Sequence, residues 1–200
     1  MAQAAAGPDG AARIGPNAVL QLLPVLTAQG GAALAGRLLG RAGLVAPPPD
    51  TAMMPETPAA RLHAAVRAEL GRDSAAVLAA AGAGTGAYIL AHRIPRAAQA
   101  VLRALPAGLA APILTQAIAQ NAWTFAGSGR FCVVSRRPVV VTLEDNPLIR
   151  GEVSDAPLCH WHRAVFDTLY GALAGPGWRA RETECCACGD PACRFEIGPG

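Results

Sequence analysis

Four of the chain's six cysteines, Cys185, Cys186, Cys188 and Cys193, fall within nine positions, and a fifth, Cys159, stands beside His160 and His162. Thiolate, imidazole and carboxylate side chains at this density, with Gly-Asp-Pro between the last two cysteines, are donors for a transition metal bound at a turn between two strands. Zinc takes four such ligands in a tetrahedron. Cys185 and Cys193 flank the turn and can meet across a hairpin. Gly189 lets the backbone fold tightly, and Asp190-Pro191 favours the turn itself. Glu182 on the incoming strand and Cys159 at the start of the preceding helix can complete the set. A rival set exchanges Glu182 for Cys188 and uses the C-x-x-C pair, and four thiolates also suit an iron–sulfur cluster. Spacing alone leaves these alternatives open.

A second pattern is electrostatic. The net charge is only +3, and every basic side chain is arginine. No acidic residue occurs between Asp73 and Glu144, whereas Arg93, Arg96, Arg103, Arg130, Arg136 and Arg137 all fall there. Guanidinium groups grip carboxylates in a bidentate fork, so this stretch suits the rim of a site for an anionic ligand or partner. Few aromatics accompany it and no nucleic-acid motif appears, which argues against nucleic acid. The Gly82-Ala83-Gly84-Thr85-Gly86 run follows an alanine-rich helical pattern rather than a strand. No acidic residue stands some twenty positions later to hold a ribose, so it fails as a dinucleotide fingerprint and reads as a break between two helices.

The elements that must position these residues follow from periodicity. Residues 1–14 read as a disordered leader and 15–200 as a single domain. A first helix begins at Asn17 and is ended or kinked by Pro24, and a second follows the Gly30-Gly31 break. The proline-rich stretch 45–58 is a loop. Helical patterns cover 58–70, 74–82, 85–94, 96–105 and 111–123. The period then changes: FCVVS and PVVVTLE are β-branched runs around Arg136-Arg137, the pattern of a hairpin. Asn146-Pro147 turns the chain. A long helix follows over 158–173, then two alternating strands around the cysteine turn. The expected class is α+β: N-terminal helices packed on a small antiparallel sheet, with a zinc-bound C-terminal hairpin. The start has no basic, apolar secretory pattern, and no apolar run is read as long enough to span a membrane. The expected location is cytoplasmic, with contact to a membrane surface only through partners.

The pattern C-x3-G-x3-C-x-F, present as Cys185, Gly189, Cys193 and Phe195, resembles the 4-vinyl reductase domain. That domain also occurs in the sensor halves of aromatic-responsive transcription activators, and is similar in fold to ligand-binding domains of nitric-oxide signalling and Golgi transport. The resemblance implies a zinc held by Cys159, Glu182, Cys185 and Cys193, a closed structural set, and a homodimer. IGPNAVLQLLPVL near the start and YILAHRIP in the middle resemble the BchJ family of bacteriochlorophyll 4-vinyl (8-vinyl) reductases. With the C-terminal motif, this covers most of the chain beyond residue 13. The resemblance implies a magnesium tetrapyrrole ligand of the protochlorophyllide or chlorophyllide type, bound by a carrier or accessory protein that works with bacteriochlorophyll pathway enzymes. The alternative is that the chain is itself the divinyl 8-vinyl reductase, although no redox-cofactor site is visible. For such a pigment, His92 is the favoured axial ligand, with His160 and His162 as further candidates. Arg93 and Arg96 are propionate partners, and Trp123 and Phe125 can stack on the ring.

Overall fold

The structure, a computed structural model, describes residues 11–200. In chain order they form β1 (Arg13–Ile14), α1 (Asn17–Leu20), α2 (Leu22–Ala42), β2 (Met54–Pro55), α3 (Glu56–Leu70), α4 (Ser74–His92), α5 (Arg96–Ala104), α6 (Ala107–Gln120) and α7 (Trp123–Ala126). Then come β3 (Arg130–Arg136), β4 (Val139–Glu144), α8 (His160–Leu173), β5 (Trp178–Glu184) and β6 (Cys193–Pro199). Four strands make one antiparallel sheet in the order β3-β4-β6-β5. The class is the expected mixture of helices and antiparallel sheet.

Alternation builds the inner face of that sheet. Val139, Val141 and Leu143 of β4 pair directly with Ile197, Phe195 and Cys193 of β6, and all six are buried. Side chains two apart on a strand share a face, so the six form one apolar double row ending at Cys193. The helix α8 lies against this sheet, its Phe166 ring edge-on to Phe195 at 5.2 Å. Trp161, Val165, Phe166, Leu169, Tyr170 and Leu173 are buried along it. Such a wide apolar surface needs cover on a second side.

That cover is α4, and its glycines allow it. A Cβ at Gly82 would lie 2.2 Å from the Trp161 carbonyl oxygen, and one at Gly86 would lie 2.6 Å from Thr168 Cβ. The helix therefore runs unbroken through 82–86, correcting the expected break: the glycines let two backbones approach closely instead of ending a helix. Proline behaves similarly at 24. It falls in the first turn of α2, where no intrahelical donor is lost. The kink comes instead at Gly30 and Gly31, the latter at φ 69°.

Two further expectations change. Arg13 and Ile14 pair with β2, and Ile14 is buried, so the chain joins the fold before residue 15. Residues 1–10 of the expected leader lie outside the described residues. Because the helices continue through the expected breaks, Asn17–Ala42 and Glu56–His92 are long and apolar enough, by length and composition, to cross a membrane. Core helices of soluble proteins meet the same test, so the expectation of no spanning segment is neither upheld nor reversed.

Candidate metal centre

Three elements converge at the end of the apolar double row. Cys193 opens β6, Cys159 is the residue that caps the N-terminus of α8, and β5 brings Glu182 and Cys185. Glu182 and Cys185 are three apart, which on a regular strand would point them to opposite faces. A bulge resolves this. Glu182 pairs with Phe195 and Glu184 with Arg194, leaving Thr183 as an extra residue. One inserted residue restores the phase, so Glu182 and Cys185 can face the same side.

One donor atom from each of Cys159, Glu182, Cys185 and Cys193 lies within 4.8 Å of the others. The Cys159 and Cys193 sulfurs are 3.2 Å apart, well beyond the roughly 2.05 Å of a disulfide, and all six cysteines are free thiols. Glu182 accepts a hydrogen bond from the Cys159 backbone N–H at 2.9 Å through Oε2. Its Oε1 is buried and has no hydrogen-bond partner. A buried carboxylate oxygen left bare beside three thiols costs free energy unless a cation occupies the space between them. The donor set therefore fits a metal ion. Cys188, in contrast, is exposed beyond this group, and Cys186 is half-buried with its thiol directed to the Leu143 carbonyl.

The electrostatics follow from the same crowding. Burial raises the Glu182 carboxyl to about 8 and pushes the Cys159 thiol up. Hydrogen bonds from Cys159 and Cys193 pull the Cys185 thiol down, making it the thiolate of the group. The N-terminus of α8, with its partial positive charge, also favours negative sulfur at Cys159.

Around the donors lies an outer layer that spacing does not reveal. Asn146 is buried, and its amide donates to Cys159 Sγ at 3.2 Å and sits 3.8 Å from Cys193 Sγ. The same amide group is 3.4 Å from His162 Nδ1, whose ring Nε2 reaches the Phe125 carbonyl at 3.4 Å. If Nε2 carries the ring proton toward that carbonyl, Nδ1 is left to accept. Burial lowers His162 to about 4, so the ring is neutral. In the sequence Asn146 stands out only as the start of an Asn-Pro turn. Its Oδ1 does accept from the Leu148 N–H at 3.1 Å, so one side chain shapes the turn and braces two sulfurs. The Asp190 carboxylate accepts from the Cys185 N–H at 2.8 Å, which fixes the cysteine turn.

The residues expected to hold a pigment do not form one pocket. His92 ends α4, exposed, with its ring stacked on Tyr88 at 4.5 Å and Nδ1 3.1 Å from the Tyr88 carbonyl. Arg93 and Arg96 follow at the same corner, both exposed, with the Arg93 guanidinium 6.0 Å from the Tyr88 ring centre. Trp123 belongs to α7, which packs on β1. Phe125 is a core ring against Phe131, Phe166 and His162. His160 is half-buried next to Cys159 in the chain, and His162 is buried within the outer layer of the metal centre.

Comparison with known proteins places the chain. The 4-vinyl reductase domain matches residues 139–199, the segment that carries β4, α8, β5 and β6. The phenol-responsive sensory domain of the transcription activator PoxR, solved with phenol, is 20% identical, with a TM-score of 0.34 over 61% of this chain and 74% of that one. That overlap is too slight to assign a fold. Over whole chains the likeness is close. The bacteriochlorophyll synthase 23 kDa chain of Cereibacter sphaeroides is 52% identical across 96% of this chain and 94% of its own length. The Rhodobacter capsulatus protein of the same name is 43% identical across 100% and 93%. The chain therefore belongs to the family of the bacteriochlorophyll synthase 23 kDa chain, with a 4-vinyl reductase domain at its C-terminal end.

Proposed function

We propose that this protein serves bacteriochlorophyll biosynthesis by binding a magnesium tetrapyrrole, a protochlorophyllide or chlorophyllide, and presenting it to enzymes of that pathway. The observation that carries the pathway is the near-full-length identity to chains named as parts of bacteriochlorophyll synthase. The carrier role draws support from α4. Its glycines are occupied in packing against α8, so they do not form a phosphate-binding loop for a nicotinamide or flavin dinucleotide.

The His92 corner supports the pigment reading chemically. If Nδ1 carries the ring proton toward the Tyr88 carbonyl, Nε2 presents a bare lone pair to solvent, the form a metal requires. Magnesium prefers such a borderline donor to a thiolate. Arg93 and Arg96 stand next to it without a carboxylate partner and can receive a propionate. The cysteine centre has a different task in this scheme. Four protein donors close it, so a zinc ion there holds β5, β6 and α8 together and leaves no position for a catalytic water.

The test is incubation of the purified protein with divinyl protochlorophyllide and NAD(P)H, with and without dithionite. Pigment that co-elutes unreduced is the expected result. Multiple-turnover conversion to the monovinyl form would make the chain the 8-vinyl reductase and overturn the carrier reading. Within the carrier reading, His92→Ala should weaken binding and shift the pigment's absorption. Arg93→Ala should weaken the free acid more than its methyl ester. Equal affinities across these variants would move the pigment elsewhere on the protein.

A further inference from the structure

Among the described residues six large hydrophobic side chains are exposed, and four of them cluster in one stretch of chain: Val101 (61%), Leu109 (46%), Ile113 (52%) and Val134 (55%). The helix α5 is held down by buried Gln99 and Leu102 and exposes most of its remaining length, including Val101, Arg96 and Arg103. The next helix, α6, carries Leu109, Ile113 and Gln116 at i, i+4 and i+7, a single stripe, and all three are exposed. Gln116 accepts a hydrogen bond from Arg136 of β3, the edge strand of the sheet. That bond ties the helical stripe to Val134 and to Arg137 at the hairpin tip. The result is one face of α5, α6 and β3 on which apolar side chains alternate with guanidinium groups.

No carboxylate interrupts this face from within its own sequence, since 74–143 contains no acidic residue. Glu144, at the end of β4, is paired with Arg130. A second copy is a poor occupant, because a two-fold interface would set these arginines against their own counterparts with no carboxylate between them. We propose that the face docks on an anionic phospholipid surface. Arginines meet the headgroups while Val101, Leu109, Ile113 and Val134 enter the boundary below them, the arrangement of a peripheral membrane protein. The proposal is independent of what the His92 corner binds.

The full chain is mixed with phosphatidylcholine vesicles prepared with and without phosphatidylglycerol, and bound protein is measured by co-sedimentation. Binding is expected only to the anionic vesicles, with release by salt as the Debye length shortens. Arg136→Gln and Arg137→Gln should each lower partitioning about fivefold, since one basic residue at such a surface is worth about 1 kcal/mol. Ile113→Glu and, on the other helix, Val101→Glu should abolish binding. Arg181→Gln, on the far strand β5, should leave it unchanged. Circular dichroism and metal content check that the variants fold. Equal binding to neutral vesicles would replace the proposal with insertion of the long apolar helices. Binding to neither kind, or unaltered binding by both glutamate variants, would overturn it. So would a dimer that Ile113→Glu splits in the absence of vesicle binding.

Discussion

Asn146 shows how much of a metal centre can rest on a residue that is not a ligand. Its amide meets Cys159 Sγ and lies near Cys193 Sγ and His162 Nδ1, while its Oδ1 accepts the Leu148 N–H. A donor aimed at thiolates offsets part of their negative charge and fixes their rotamers. Outer-layer partners of this kind typically change metal affinity by about 10- to 100-fold. Asn146→Ala should therefore weaken the site by that order in a chelator competition while all four donors remain. An affinity equal to wild type would reduce Asn146 to a turn residue. Cys185→Ser should lose the metal and much of the solubility, and Cys186→Ser should lose neither, as metal analysis of both variants would show. Retained metal in Cys185→Ser would sink the assignment.

At the scale of elements, the contact between α4 and α8 depends on missing side chains. Gly82→Ala puts a methyl group 2.2 Å from the Trp161 carbonyl, so the helices must separate or the backbone must shift. Overpacking of this kind costs about 1–3 kcal/mol, more than the helix propensity gained. Thermal unfolding should show a lower midpoint for Gly82→Ala. Gly36→Ala in α2, where nothing lies within 4 Å, should show no loss. A Gly82→Ala protein as stable as wild type would mean the helices sit further apart. This contact also marks where the sequence stops being readable. The strands, α8 and the four donors are legible, because alternation, an apolar stripe and cysteine spacing are local. The continuity of α4 is not, because a glycine that ends a helix and one that admits a neighbour look alike until the neighbour is known. Asn146 is hidden for a related reason. Its partners Cys159 and Cys193 are 13 and 47 positions away, and an Asn-Pro pair already has a sufficient local explanation.

For the molecule as a whole, stability should depend on pH and metal together. His63 is buried, its Nε2 2.9 Å from the Ala18 carbonyl, and burial lowers it to about 3; His162 lies at about 4. Both are near 6.5 when unfolded, so the unfolded chain takes up protons first on acidification. Their contribution is complete above about 6.5 and is lost as pH falls toward 4. Glu182 acts in the opposite sense when no cation is bound. Its folded value of about 8 lies above its ordinary value, so its contribution is complete below about 4.5 and is lost as pH rises toward 8. A metal needs that carboxylate ionised and removes the penalty. The difference in melting temperature between metal-loaded and chelator-treated protein should therefore widen between about pH 5.5 and about pH 8. A difference that is constant or narrows would contradict a metal bound through Glu182.

The bulge at Thr183 has one more consequence, and it concerns time rather than geometry. Glu182, Cys185 and Cys193 belong to one hairpin, 11 positions from first to last, whereas Cys159 is 34 positions from Cys193. Closing the short loop costs less chain entropy than closing the long one, and local contacts form sooner. With the bulge setting Glu182 and Cys185 on one side, the hairpin can gather three donors before α8 arrives. A cation captured early would then wait for Cys159, and the docking of α8 would be the step that seals it in.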